Sequence, residues 1–234
     1  MKNKKENKVK EFLGTPQGKP ALFFGFYFIF FLVLIILVRT NSSSNNSVIN
    51  TDSSVDLPFS LTKIENGNYH FSYSFNIDSN VYLYEGDKSD YKELFSFNNI
   101  KYYRSDSIFL SNVDNKWIKV DNPYILSDFI DINNISSILK NSTYVSKTDY
   151  DSGMVVYDYR VSTPTLVKIL NNDYIDLDDA VNEIIVKVDE NNDVSTIIFN
   201  FSSYGLYSKI AFDQLDIELN YSNYGNVNDI SDPE

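Results

Sequence analysis

The chain closes on "LDIELNYSNYGNVNDISDPE", residues 215–234. Leu215, Ile217, Leu219 and Tyr221 alternate with Asp216, Glu218 and Asn220. In an extended chain successive side chains point to opposite faces, so this stretch reads as a strand with one buried and one wet face. The alternation stops at Tyr221. Asn223–Gly225 then reads as a turn, followed by a short extended exit.

The same period recurs upstream. Phe71, Tyr73, Phe75 and Ile77 share one face, and His70, Ser72, Ser74 and Asn76 the other. "NVYLYEG" follows a turn at Asp78-Ser79-Asn80, then come "IKYYRSD" and "SIFLSNV", and "DNK" turns the chain into "WIKV". "GMVVYDYRVS" and "EIIVKVD" are further strands, and "DENND" at Asp189–Asp193 leads into "VSTIIFNFSSYG". Helical spacing is rarer. In "PYILSDFIDINNISSILKNS" the apolar residues Ile125, Phe129, Ile132, Ile135 and Leu139 recur every three to four positions. "STPTLVKILNN" has Ser162 or Thr163 as cap, Pro164 at the first helical position and Asn171-Asn172 at the exit. "DLDDAVN" has the composition of a short helical turn. Strands, a helix, a strand pair, a second helix and strands again predict an α+β fold with a mostly antiparallel sheet.

Composition bounds what such a domain does. The 234 residues include 18 Tyr and 17 Phe, which favours β-structure. Asn is abundant throughout and reads as the compositional bias of an AT-rich bacterial genome. Without cysteine there is no disulfide, thiol nucleophile, thiolate-held zinc or lipid-bearing Cys. His70 is the only histidine, so a metal site would need carboxylates and would suit calcium or magnesium. The net charge is −12; the lysines before Pro20 give that end about +4 and leave about −16 for the rest. So acidic a body repels phosphate backbones, which argues against nucleic acid as a partner.

Ala21 to Val38, "ALFFGFYFIFFLVLIILV", is apolar on every face and without charge. As a helix it covers roughly 27 Å, close to the hydrocarbon thickness of a bilayer. A cleaved signal peptide is the competing reading, but the run is long and ends in Arg39-Thr40-Asn41 rather than a small-x-small site. The basic flank predicts a cytoplasmic N-terminus and an exported C-terminal bulk at a bacterial cell membrane. The expected plan is a basic cytoplasmic tail (1–20), a single transmembrane helix (21–38), a Ser/Asn-rich tether (39–56) and an extracytoplasmic domain (57–234).

No catalytic site emerges. "SLTK" at Ser60–Lys63 has the Ser-x-x-Lys spacing of penicillin-recognising enzymes, but no convincing helix surrounds it and the partner motifs are missing. "DENNDVSTIIFN" begins like a calcium loop, yet Val194 replaces the glycine and Asn200 the bidentate Glu, so a hairpin turn is the better reading. Asp173, Asp176, Asp178 and Asp179 read as a solvated acidic loop, with nothing to set a glycosidase pair at its distance. The aromatic faces, Phe71, Tyr73, Phe75, Tyr102, Trp117, Tyr157 and Tyr159, are candidates for lining a ligand cavity or for filling a core.

"SIFLSNVDNKWIKV", then "YILSDF…ISSILKNS", resembles a strand, short turn, Lys-Trp-x-Lys and helix pattern of the lipoprotein-carrier-like superfamily of LolA and LppX/LprG type. The exit "YSNYGNVNDISDP" is similar to that family's ending, with Tyr224, Gly225, Val227, Ile230 and Pro233 in register. "STPTLVKILNN" resembles its short second helix. The resemblance covers Leu57 to Pro233 and carries no catalytic residue. It implies a curved antiparallel sheet partly wrapping two or three helices around an apolar cavity. It further implies a non-enzymatic domain, without cofactor, that binds a lipid or other apolar ligand. This chain departs from the family in lacking the lipid-bearing Cys, which favours a fixed receptor, relay or accessory subunit over a free shuttle. The alternative is an envelope module with a filled core and a protein partner.

Overall fold

The computed structural model describes residues 56–171, 175–177, 180–201, 205–207 and 210–233. The expected basic tail, apolar span and all but the last residue of the tether lie outside them, as do Asp173, Asp178 and Asp179. Among the described residues no helix is long and apolar enough to cross a membrane.

The domain opens with a one-turn helix α1 (Thr62–Glu65) and a run of antiparallel strands: β1 (Asn68–Ile77), β2 (Asn80–Ser89), β3 (Lys92–Phe97), β4 (Ile100–Ser105), β5 (Ile108–Val113) and β6 (Lys116–Val120). A crossing segment holds a 3-10 turn (Ser127–Phe129) and leads into α2 (Ile132–Lys140). Then follow β7 (Thr143–Asp149), β8 (Val155–Ser162), α3 (Thr163–Leu170), the two-residue β9 (Asp176–Leu177), β10 (Val181–Val188) and β11 (Val194–Phe201). Last come β12 (Gly205–Tyr207), β13 (Ile210–Phe212) and β14 (Leu215–Ser222). The fold is α+β, with few helices and a large antiparallel sheet.

The eleven-stranded sheet runs β6-β5-β4-β3-β2-β1-β14-β11-β10-β8-β7, and β13-β12-β9 form a small second sheet. Five successive hairpins lay down β1 to β6. The chain then crosses to the far edge, builds inward, and drops β14 into the gap between β1 and β11. Phe71 faces Tyr221, Phe75 faces Ile217, and on the other flank Ile197 faces Leu219. The alternating residues of "LDIELNYS" are buried on the inner face and wetter on the outer one. Helices cover the inner face: Phe129 meets Phe199 and Phe201 at 5.5 Å, and Ile135, Ile138, Leu139 and Leu166 are fully buried in the same core.

The hairpin turns give the asparagines a task that a compositional reading misses. Ten described residues other than glycine have positive φ, and every one is Asp or Asn. Asn98-Asn99 and Asp114-Asn115 are consecutive left-handed pairs, the geometry whose twist matches a two-residue hairpin. Asx side chains tolerate that region where other non-glycine residues are strained, so a chain with only eight glycines turns on Asx.

Asp131 caps α2 by accepting from the amides of Asn133 (2.8 Å) and Asn134 (3.3 Å). The cap explains why the helix begins at Ile132, while the apolar period extends back to Ile125 through a 3-10 turn. Ser162 caps α3, and Asn171 closes it at φ 44°. Asp176 and Leu177 form β9 rather than the expected helical turn. "DENND" is a hairpin turn in which Asp189 Oδ1 accepts from the amides of Asn191 and Asp193.

The exit is no frayed end. After the turn, Gly225 and Val227 bond to Asn68 at the start of β1, and the Tyr224 hydroxyl donates to the Val194 carbonyl. Asp232 then accepts from Lys92 Nζ at 2.7 Å and from the Tyr103 hydroxyl, on the outer face of β3 and β4. Those two partners, Lys92 first, hold its carboxyl below the usual carboxylate value. A lowered carboxyl contributes stability above its unfolded value of about 3.9 and loses it as pH falls through the folded one. Below pH 4 the exit is therefore expected to detach first, seen as fast amide exchange at residues 226–232 before β14 loses protection.

Gly86 of β2 faces Phe95 of β3 across the ladder. A Cβ there would overlap the Leu94 carbonyl oxygen and come within 2.5 Å of Phe95 Cβ. Gly86→Ala is expected to lower stability by about 1–3 kcal/mol, measured by urea denaturation.

Candidate functional site

The inner face of β1 to β5 does not close fully against the crossing segment. Between them lies a cleft of about 780 Å³, within the range of small-molecule sites. Its floor is Tyr69 and Tyr73 of β1; one wall is Glu93, Arg104 and Phe109, and the other Tyr124, Ser127 and Ile130.

Register builds the polar wall. Lys88 faces Glu93 across β2 and β3, and Glu93 faces Arg104 across β3 and β4. The three side chains meet: Glu93 Oε1 lies 3.1 Å from Lys88 Nζ and 3.1 Å from Arg104 Nη1, and Tyr124 donates its hydroxyl to Oε2 at 3.2 Å. Glu93 is only 6% exposed, so this triple partnership is what permits a carboxylate at that depth. Tyr124 in turn stacks on Phe95 at 4.8 Å. Next to it the Tyr84 hydroxyl accepts from the Ile125 amide and donates to the Pro123 carbonyl. That latch fixes the crossing segment over the sheet. Burial pushes the Tyr84 phenol up to about 12. Burial likewise raises Tyr69, Tyr73 and Tyr124, with the Glu93 charge adding to the last, so the cleft presents neutral hydroxyls.

A second hollow, of about 600 Å³, lies between β7, β8, the end of α2 and the segment Asp56–Pro58. Leu57, Leu139, Tyr144, Tyr157 and Tyr159 give it a mainly apolar lining, with Lys147 among its polar residues. The buried Tyr159 hydroxyl has no hydrogen-bond partner among the described residues.

The aromatic candidates from the sequence part company here. Tyr73 lines the larger cleft, and Tyr157 and Tyr159 line the second. Phe71 and Phe75 are packed in the core, where Phe71 stacks on Tyr73 at 4.5 Å. Tyr102 stacks on Phe95 at 5.3 Å, and half-buried Trp117 sits edge-on to Tyr103 on the outer face. Alternation had no way to single out Glu93, Lys88, Arg104 and Tyr124; only the hairpin register brings them together. Lys63 of the Ser-x-x-Lys match is paired with Asp193 at 2.7 Å, and His70 with Asp87 at 2.8 Å on the outer face. No group of three or more His, Cys, Asp or Glu placed to hold a metal occurs among the described residues.

No protein-family model and no curated protein matches the chain. Among solved structures it is similar to the lipoprotein LppX of Mycobacterium tuberculosis, with a TM-score of 0.46 and 10% identity. That similarity covers 74% of this chain and 94% of LppX. It is also similar to LprF from Mycobacterium bovis, with a TM-score of 0.47, 10% identity, and coverage of 74% and 91%. At this identity no residue role passes from either protein to this chain.

Removing the Glu93 charge leaves Lys88 and Arg104 without their shared partner. Glu93→Gln is expected to cost about 2 kcal/mol, below the loss for a fully buried pair because both cations reach solvent. Chemical denaturation beside a Lys88→Met/Glu93→Gln double variant, which should recover part of the loss, checks it.

Proposed function

We propose that the chain is a membrane-anchored extracytoplasmic protein whose domain binds a lipid or other amphiphile without transforming it. The cleft carries this reading: a hollow of about 780 Å³ between sheet and crossing segment, with phenol rings for an apolar body and a polar wall for a head. The anchor rests on the uncharged run Ala21–Val38 and its basic flank. The outward placement of the domain follows from the same flank.

Native mass spectrometry of the full chain released from membranes tests the reading. The expected result is an adduct that organic solvent extracts as a lipid, and that is much reduced in Ser127→Trp, where an indole fills the cleft. A folded chain at its bare mass, with nothing extractable, would contradict it.

A protein-interaction role has one observation in its favour. Val81 and Leu83 of β2 are 58% and 59% exposed, on the face away from the core. Crosslinking in membranes with a photoreactive residue at Leu83 would then capture one discrete partner, whereas the lipid-binding reading requires none.

A further inference from the structure

Tyr159 stands in the wall of the second hollow, edge-on to the rings of Phe59 at 6.2 Å and Tyr144 at 5.9 Å. The residue is 3% exposed, and its hydroxyl meets no donor or acceptor among the described residues. A buried hydroxyl has given up its bonds to water, and without a partner the fold bears that desolvation with no return. Burial also pushes this phenol up to about 12, so at neutral pH it is an uncharged donor.

The rest of the hollow suits a hydrocarbon and gives no foothold to a charge. Leu57, Pro58, Leu139 and the rings of Tyr144 and Tyr157 supply most of the lining. Lys147 Nζ is held by Asp149 at 2.8 Å, and the Ser142 hydroxyl is spent on the Ile138 carbonyl at 2.7 Å. Lys147 opposes a cationic head, and Asp56 at the rim opposes an anionic one. An acyl ester avoids both conflicts: its chain covers the apolar lining and its carbonyl accepts from a phenol. The volume of about 600 Å³ is within the range of small-molecule sites.

One side of the wall is free to move. Tyr144 is 53% exposed on β7, the outermost strand of the sheet, and the β7–β8 register slips between Tyr144 and Ser146. We propose that the second hollow is a site for a single fatty acyl ester, whose carbonyl accepts from the Tyr159 hydroxyl once the Tyr144 ring swings outward. The site is separate from the cleft and does not depend on it.

Methyl dodecanoate and tridecane have chains of equal length and differ in the ester oxygens. Each is titrated, as a mole fraction of disc lipid, against the full chain in nanodiscs of diether phosphatidylcholine, which carries no ester of its own. Saturation-transfer NMR reads occupancy, with empty discs as the blank. The ester is expected to bind about fivefold tighter than the alkane. Tyr159→Phe keeps the ring and deletes the hydroxyl. It should bring the ester down to the alkane, leave the alkane unmoved, and unfold in urea no earlier than the parent chain. The ester's advantage should persist in Ser127→Trp, where the cleft is filled.

An alkane bound as well as the ester, or an advantage that survives Tyr159→Phe, overturns the carbonyl contact and the proposal with it. A Tyr159→Phe chain less stable than its parent would show a hydroxyl already partnered, and overturns it too. An advantage lost in Ser127→Trp places the ester in the cleft, which overturns this site and supports the amphiphile reading. Neither probe binding above the blank overturns the second site and leaves the cleft to its own adduct test.

Discussion

β14 is the seam of the domain. On one side it pairs with β1 and thereby with the meander β2 to β6; on the other it pairs with β11 and thereby with β10, β8 and β7. Without it the inner face would be two half-sheets, each with an open edge of unpaired backbone groups. Its inward side chains, Leu215, Ile217, Leu219 and Tyr221, are all buried. They complete the core that β1 begins with Tyr69, Phe71, Tyr73 and Phe75. Pairing the last strand with the first closes a long loop, which costs more entropy than the meander's local hairpins do. The exit past Asn223 extends the seam, tying Asn68, Val194, Lys92 and Tyr103 to the end of the chain.

The cleft follows from the same arrangement. The seam fills the centre of the inner face with rings and aliphatic side chains, and helices cover the far half. The near half is roofed only by the crossing segment, which hangs on the Tyr84 and Tyr124 hydroxyls. Glu93 is central to that roof, since one carboxylate holds Tyr124 above it and the two cations beside it. The polar wall is thus structural, with both of its cations already held by Glu93.

Much of the fold was legible because burial on one face imposes period two on any strand that carries a core. β1, β11 and β14 could be read for that reason, and Ser162 with Pro164 announced α3. β7 left no such trace: "TYVSKTD" lies at the sheet edge and is exposed almost throughout, so nothing forces its residues to alternate. The asparagines were misread as composition because their use depends on backbone sign, which the one-letter string does not show. The two hollows were partly legible. Tyr73, Tyr157 and Tyr159 were candidates by their faces, but a face does not say whether it meets a helix, a ring or a hollow. Lys88, Glu93 and Arg104 converge only once the turns at Asp90 and at Asn98-Asn99 fix the register.

Native-state hydrogen exchange on the full chain tests the seam most directly. If β14 holds the two half-sheets together, the amides of Ile217 and Leu219 exchange only with global unfolding, at the free energy found for the centres of β1 and β11. Exchange of β14 at a much lower free energy, with β1 to β6 still protected, would show a strand docked on a finished sheet and contradict the account.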